Sequence, residues 1–306
     1  MSEPLPITTH ACHAMGTRFE FAVVHARGAQ ARAAAEAAAE EVLRLHALWS
    51  AHEPSSVVAA INRGAGARAV RVDHDTFALL LLCREVFRAS GGAFDIALGG
   101  LMRAHGFRGA GAGAGGAALP PFGSVHLHLD EGSRSVAFSG AIELDLGAVA
   151  KGWALDAAGA VLREAGVAHG LLHAGTSSVL AIGGAPDGGL WRVRVSPAPG
   201  APVVGLRDNA LSVSAPHGRV VVRGAEGGAG DGDALASIPA HLSHTLDPGT
   251  GLPTAPLLHA ATVASRAAVA DAWSTALLVR GGALAAVTGV RFITQGRDGS
   301  WSAGGV

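Results

Sequence analysis

The stretch HTLDPGTGLPTAPLLHAATVASRAAVADAWSTALL, His244 to Leu278, reads as a polar turn, a strand and a helix in immediate succession. In the turn DPGTG, Pro248 holds one backbone angle, while Gly249 and Gly251 admit conformations other residues avoid. Apolar residues from about His259 to Ala264 predict the strand. The helix is expected to open at Ser265, a favoured N-cap residue, and to run to about Val279. Within it Asp271 and Thr275 are four apart, so their oxygens share one face, one turn above the other. Ala267, Ala268 and Ala272 make the rest of that face small and apolar. A carboxylate stacked on a hydroxyl there is either a hard-cation or phosphate site, or a solvated helix face. Spacing alone leaves both open.

Upstream, IELDLGAVAKGWALDAAGAVLREAG predicts a strand ending at Asp145, a turn at Gly147 and a helix. Lys151 falls in the first helical turn, where a cation opposes the helix dipole unless an anion offsets it. A lysine among free backbone N–H groups suits a phosphate, although the GxxxxGK[ST] pattern is missing. LLHAGTSSVLAIGG places a glycine-hydroxyl loop between two apolar runs. WRVRVSPA, VVGLR, ALSVSA and RVVVRG predict successive antiparallel strands, followed by a flexible insertion over 224–235. ALAAVTG and VRFITQ predict a last short helix and strand.

Toward the N-terminus, RFEFAVVH (18–25) predicts a strand entering a core. Gly16, just before it, is either a loop glycine or a point of close approach to a ligand. Residues 29–49 form an Ala-rich amphipathic helix with Val42, Leu45 and Trp49 on one stripe. Pro54 restarts a short helix, in which Asn62 reads locally as a C-cap. HDTFALLLLCREVFRAS is a helix opened by Asp73 or Asp75 and closed by Gly91-Gly92. In the GGAFDIALGGLMRAHGF that follows, Asp95 is costly to bury without a partner; it either caps the next turn or serves a site. Residues 106–123 read as a surface loop, a candidate subdomain boundary or lid. SVHLHLD and SVAF predict a hairpin about EGS, with His126 and His128 on its exposed face. A zinc pair there lacks a nearby third ligand.

The chain has 306 residues, 49% of them hydrophobic and 15% charged, which places it among globular proteins with a full core. A net charge of −1 without a basic block argues against nucleic acid or an anionic membrane as partner. Cys12 and Cys83 offer neither zinc spacing nor a disulfide framework. No apolar run reaches the length of a membrane span; FALLLLCREVF is interrupted by Arg84 and Glu85. No leader pattern opens the sequence, so the expected location is cytoplasmic, or periplasmic if a leader was removed.

Five blocks, taken in order, resemble the ApbE family of FAD:protein FMN transferases. They are MGTRFEF, the block from Trp49-Ser50 through SVVAAIN ending at Asn62, GGAFDIALGGLM, ELDLGAVAKGWALD, and HTLDPGTGLPT with VADAWSTAL. They span residues 15 to 278, and it is their order that makes the resemblance specific. It implies one ApbE-like domain over 1–306 with a mixed α+β fold, antiparallel sheets flanked by helices, and an active site between two halves. It further implies a Mg²⁺-dependent reaction, with Mn²⁺ as an alternative ion. FAD is split at its pyrophosphate, FMN passes to a Thr or Ser hydroxyl in a flavinylation motif of an acceptor flavoprotein, and AMP leaves. By the same resemblance Asp271, Thr275 and the carbonyl of Ala148 would hold the metal. Met15, Phe94, Asp95, Lys151, Asp156, Gly175, Thr176 and His244 would contact FAD. His244, Asp247 and Lys151 would be the catalytic groups, with His244 activating the acceptor hydroxyl.

Several positions depart from the family pattern. Gly175-Thr176-Ser177 stands for Gly-Gly-Asp/Asn, and Asp95-Ile96-Ala97-Leu98 for Asp-Pro-Thr-Val. His105-Gly106-Phe107 stands for Trp-Gly-Phe, and Trp153 for the usual Tyr. Gly249 replaces an Arg in the Asp-Pro-Arg-Thr-Gly turn, and Ser212-Val213-Ser214-Ala215 stands at the Thr-Ser-Gly strand end. The expected metal residues are intact, while the expected flavin pocket is altered.

Overall fold

Alternating and helical hydrophobic patterns resolve here into antiparallel sheets with helices against them, an α+β architecture. The computed structural model describes residues 6–25, 27–107, 119–216, 243–285 and 290–305. The expected strand RVVVRG, the insertion over 224–235 and most of the expected loop over 106–123 therefore lie outside the described residues. In chain order the elements are β1 (Ile7–Ala14), β2 (Thr17–Val24), α1 (Gly28–Trp49), α2 (Val57–Gly64), β3 (Val70–Arg71), α3 (His74–Ala89) and α4 (Gly99–Ala104). Then come β4 (Leu127–Asp130), β5 (Ser135–Phe138), α5 (Ala150–Glu164), β6 (His169–Ala174), β7 (Ser178–Ile182), β8 (Trp191–Arg194), β9 (Val203–Leu206) and β10 (Ala210–Ser214). The last are β11 (Leu246–Asp247), β12 (Leu252–Pro253), β13 (Leu257–Ala264), α6 (Ala267–Arg280), α7 (Gly282–Ala285), β14 (Arg291–Gly296) and β15 (Trp301–Gly304).

The chain divides into two compact units. The first holds the described residues of Met1–Ser50, Gly147–Val213 and Ala261–Ser274. Its strands lie in the order β1-β2-β6-β7-β10-β13. The pairings β1–β2, β2–β6, β6–β7 and β7–β10 are antiparallel. The strand at 18–25 thus gains a hairpin partner the sequence reading missed. Met15 (φ 51°) and Gly16 (φ 73°) make the two-residue turn, the left-handed geometry that suits the twist of a hairpin. Helices α1 and α5 pack on each other, α1 also on β1 and α5 on β7. Ala31, Ala35, Ala38, Val42, Leu45 and Trp49 form the buried stripe of α1, as its periodicity predicts.

The second unit holds the described residues of Ala51–Leu146, Ser214–Ala260 and Thr275–Val306. It contains the three-stranded sheet β3-β5-β4, with α2 against it, and the antiparallel pair β14–β15. Helices α2 and α3 are capped by Ser56 and Asp73, whose side chains accept from the Ala59 and Thr76 N–H groups. The expected strand SVHLHLD begins only at Leu127, since Ser124–His126 is a 3₁₀ turn; His126 and His128 are exposed as expected. Asn62 does not cap α2. It lies inside the helix, and its side-chain oxygen accepts from the Leu144 N–H at 2.8 Å. The expected strand before Asp145 is likewise absent as a ladder. Its peptide groups bond singly instead: Gly99 N to Glu143 O, and Asp145 N to Ile96 O. Those partners satisfy buried backbone without regular pairing. Among the described residues, no helix is long and apolar enough to cross a membrane.

Candidate functional site

Helix α6 is buried on nearly every face, so Asp271 cannot sit on a solvated one. Asp271 is 3% exposed, and an ionised group at that depth needs partners. One carboxylate oxygen accepts from the Ser212 hydroxyl at 2.9 Å and the Ser178 hydroxyl at 3.2 Å. The other accepts from the Gly152 N–H at 3.0 Å, and the Lys151 Nζ stands 3.8 Å from it. Lys151 also donates to the Gly147 carbonyl at 2.9 Å, bending its cation back over the turn before α5. Ala148 lies in that turn. Lys151 and Gly152, though more than a hundred positions from Asp271 in sequence, therefore form one polar cluster with it in the first unit. One turn on from Asp271, the Thr275 hydroxyl is 3.3 Å from the Ser214 hydroxyl.

Ser178 and Ser212 were not among the expected site residues. Ser178 lies in a strand whose five residues are all buried, and Ser212 in the buried half of β10. A hydroxyl in a continuously buried strand was the available signal, since burial without a partner costs free energy.

The start of α6 also differs from expectation. The helix begins at Ala267, not beside Ser265, and its first N–H groups turn to another helix. Ala267 N and Ala268 N donate to the two oxygens of Asp156, at 2.7 and 3.0 Å. Burial raises the Asp156 carboxyl, against the opposing pull of those N–H groups and of the Arg266 and Arg163 guanidiniums. Arg266 lies 5.1 Å above the Trp153 ring, and Trp153 meets Trp49 edge-on. The aromatic residue at position 153 is thus a platform for a cation at the α6 N-terminus.

Elsewhere in the first unit, the Met15 N–H donates to His46 Nδ1 at 3.2 Å. The hairpin tip borders a hollow of about 260 Å³ lined by His13, Ala14, Met15, Gly16, Thr17, Arg18 and His46. Gly175 (φ 62°) packs against the same hairpin: its N–H donates to the Arg18 carbonyl, and a Cβ there would lie 2.2 Å from the Thr17 hydroxyl. Only glycine fits that loop. Thr176 beside it is exposed.

The second unit carries the other expected residues. Phe94 is fully buried, and its N–H donates to the Ser90 hydroxyl. Asp95 accepts from the Ala97 N–H at 2.7 Å, so it does cap its own turn, and also from the Ser124 N–H and hydroxyl. Burial raises the Asp95 carboxyl, opposed by those hydrogen bonds. Asp247 organises the DPGTG turn: its carboxylate accepts from Gly249 N at 2.8 Å and its carbonyl from Gly251 N at 2.7 Å. The His105 ring nitrogen Nε2 donates to the Gly251 carbonyl at 2.8 Å. His244 Nδ1 is 3.0 Å from the Pro216 carbonyl. A carbonyl only accepts, so Nδ1 is the donor of that bond. Among the described residues no group of three His, Cys, Asp or Glu side chains is placed to hold a metal ion. A cation here would rest on hydroxyl, carbonyl and substrate oxygens beside Asp271, a donor set that suits Mg²⁺.

The model of the ApbE family matches residues 15–292. A FAD:protein FMN transferase from Rhodobacter capsulatus is 29% identical over 322 residues, covering 97% of this chain and 57% of its own length. The chain thus spans little more than half of that relative. Among solved structures, the ApbE protein of Thermotoga maritima superposes with a TM-score of 0.81 at 24% identity, covering 97% of both chains. The flavinyl transferase ApbE of Pseudomonas stutzeri, in its apo form, does so with a TM-score of 0.80 at 22% identity, covering 99% of this chain and 97% of its own. At these identities the two structures establish the fold.

Proposed function

We propose that this chain, which belongs to the ApbE family, is a Mg²⁺-dependent transferase that moves FMN from FAD to a Thr or Ser hydroxyl of an acceptor protein. The observation that carries the reading is Asp271: a carboxylate 3% exposed, held on both oxygens by neutral donors, with a lysine ammonium 3.8 Å away. A fixed anion beside a fixed cation is the arrangement that metal-assisted phosphoryl transfer asks of a protein. Asp271, the Thr275 hydroxyl and the Ala148 carbonyl are the groups that would hold Mg²⁺, which when bound neutralises charge on the pyrophosphate oxygens.

The chain's own residues then have separable tasks. Lys151 offers its ammonium to a phosphate oxygen from the turn at Gly147. His244, its Nδ1 proton committed to the Pro216 carbonyl, takes the proton of the acceptor hydroxyl at Nε2. The hydroxyl oxygen bonds to the FMN-side phosphorus as the bond to the bridging oxygen breaks, and AMP departs with that electron pair. Asp247 holds the turn that follows His244 in place. The hairpin at Met15 and the loop at Gly175-Thr176 border one region of the first unit and are assigned to the flavin nucleotide. Phe94 and Asp95 are flavin contacts on the strength of the sequence resemblance alone.

The test is incubation of the purified chain with FAD and Mg²⁺, with and without a peptide carrying an Asp/Ser-Gly-Ala-Thr/Ser motif, read by mass spectrometry. The expected result is the mass of FMN added to the peptide, abolished by EDTA. Free FMN and AMP beside an unmodified peptide would point to hydrolysis by water at the same centre. Bound but uncleaved FAD would refute the transferase reading.

A further inference from the structure

We infer that Gly152 and Asp156, one turn apart on α5, form a jig that sets Asp271, which makes Asp156 a positioning residue for the metal-binding carboxylate. The inference rests on the proposed metal role of Asp271 and adds the device that aims it. Two contacts define the jig. At one end, Asp156 accepts from both Ala267 N and Ala268 N, the first N–H groups of α6, across 111 and 112 positions of sequence. These are donors that a helix cannot satisfy internally, and a carboxylate there also meets the positive end of the helix dipole. At the other end, Gly152 brings the two helices to backbone contact. A Cβ on it would lie 2.3 Å from the Ala267 carbonyl oxygen and 2.8 Å from the Ala268 Cα. The same Gly152 donates its own N–H to Asp271.

Residues 152 and 156 share one face of α5, so both contacts fall on one seam. Asp271 lies one turn beyond the capped N–H groups. Its carboxylate position is therefore set by where α6 starts, and Asp156 decides that. Arg266, 3.7 Å from Asp156 and stacked on Trp153, holds the capping carboxylate from the outer side. Both Asp156 oxygens already point at backbone N–H groups, a use that needs no flavin.

The experiment compares parent chain, Asp156→Ala, Asp156→Asn and Asp271→Asn. Mn²⁺ binding is read from the electron paramagnetic resonance of the free ion, and FAD binding, with EDTA present, from flavin fluorescence. Backbone amide exchange over residues 267–272 is measured alongside. Asp156→Ala is expected to weaken Mn²⁺ binding about 10- to 100-fold, the usual effect of removing a group that orients a ligand. Exchange at 267–272 should quicken while FAD affinity holds. Asp156→Asn, which keeps one acceptor oxygen and the parent side chain's size, should recover part of the Mn²⁺ affinity and folds as a control. A loss of FAD affinity with Mn²⁺ binding unchanged would overturn the inference and make Asp156 a flavin contact. Unchanged exchange in Asp156→Ala would overturn it equally. If Asp271→Asn binds Mn²⁺ as the parent does, the metal assignment itself falls, whatever Asp156 does to the helix.

Discussion

Replacing Gly152 by Ala inside α5 sets two effects against each other. In an exposed helix interior the change stabilises by about 1 kcal/mol, because alanine loses less backbone entropy. Here the new methyl would meet the Ala267 carbonyl oxygen at 2.3 Å, its carbon at 2.6 Å and the Ala268 Cα at 2.8 Å. All three are backbone atoms, so no rotamer change relieves them, and α6 must retreat by about 1 Å to reach ordinary contact. Overpacking of this kind costs about 1–3 kcal/mol. The retreat also stretches the Gly152 N–H bond to Asp271, and a hydrogen bond to a charged group is worth about 1.5–3 kcal/mol. Steric and polar losses together exceed the propensity gain, so Gly152→Ala should destabilise by about 2 kcal/mol or more, lowering Tm by about 5 °C. Thermal unfolding followed by circular dichroism reads this directly. A variant that melts at or above the parent would show that α5 and α6 do not meet as closely as the structure has it.

Three further outcomes are expected. Asp271→Asn should retain the parent's circular dichroism yet lose Mg²⁺-dependent turnover of FAD, and EDTA should silence the parent in the same assay; full activity in the variant refutes the metal assignment. Ser178→Ala and Ser212→Ala each remove a hydroxyl donor from the same oxygen of Asp271, and each should raise the Mg²⁺ concentration needed for half activity about tenfold. Because they share that oxygen, the double variant should cost less than the product of the two. Asp95→Asn should change the pH dependence of stability. Burial raises the Asp95 carboxyl in the fold, so its contribution is fully present below the unfolded value near 3.8 and is lost as pH rises through the higher folded value. The melting temperature of the parent relative to Asp95→Asn should therefore climb as pH falls through that window, and a pH-independent difference would contradict the burial argument.

What was legible in the sequence was local. Periodicity located α1 and the helix at 74–89, with Asp73 or Asp75 as its opener, between which the structure selects Asp73, and the alternation before Asp130 placed His126 and His128 outside. Ordered blocks of glycine and polar residues were enough for the family, because each block needs its residue types at short spacing. Local signals also misled where a distant group supplied the partner. Ser265 looked like the cap of α6, but Asp156 supplies the acceptors. Asn62 looked like a helix end, but it reads the Leu144 peptide 82 positions away. The segment before Asp145 has the composition of a strand, yet its peptide groups bond singly to Asn62, Ile96 and Gly99 rather than to a neighbouring strand.

By itself, then, the sequence determined the helices other than the short α4 at Gly99–Ala104, most of the strands, the family and the pair Asp271 and Thr275 on one helical face. Only the tertiary structure decided what surrounds Asp271. Ser178 and Ser212 reach it across 93 and 59 positions, and Gly152 across 119. The physical reason is that propensity and periodicity act over a few residues of chain. A buried carboxylate, by contrast, must take its hydrogen bonds from whatever backbone and hydroxyl groups the packed strands and helices bring within 3 Å or so.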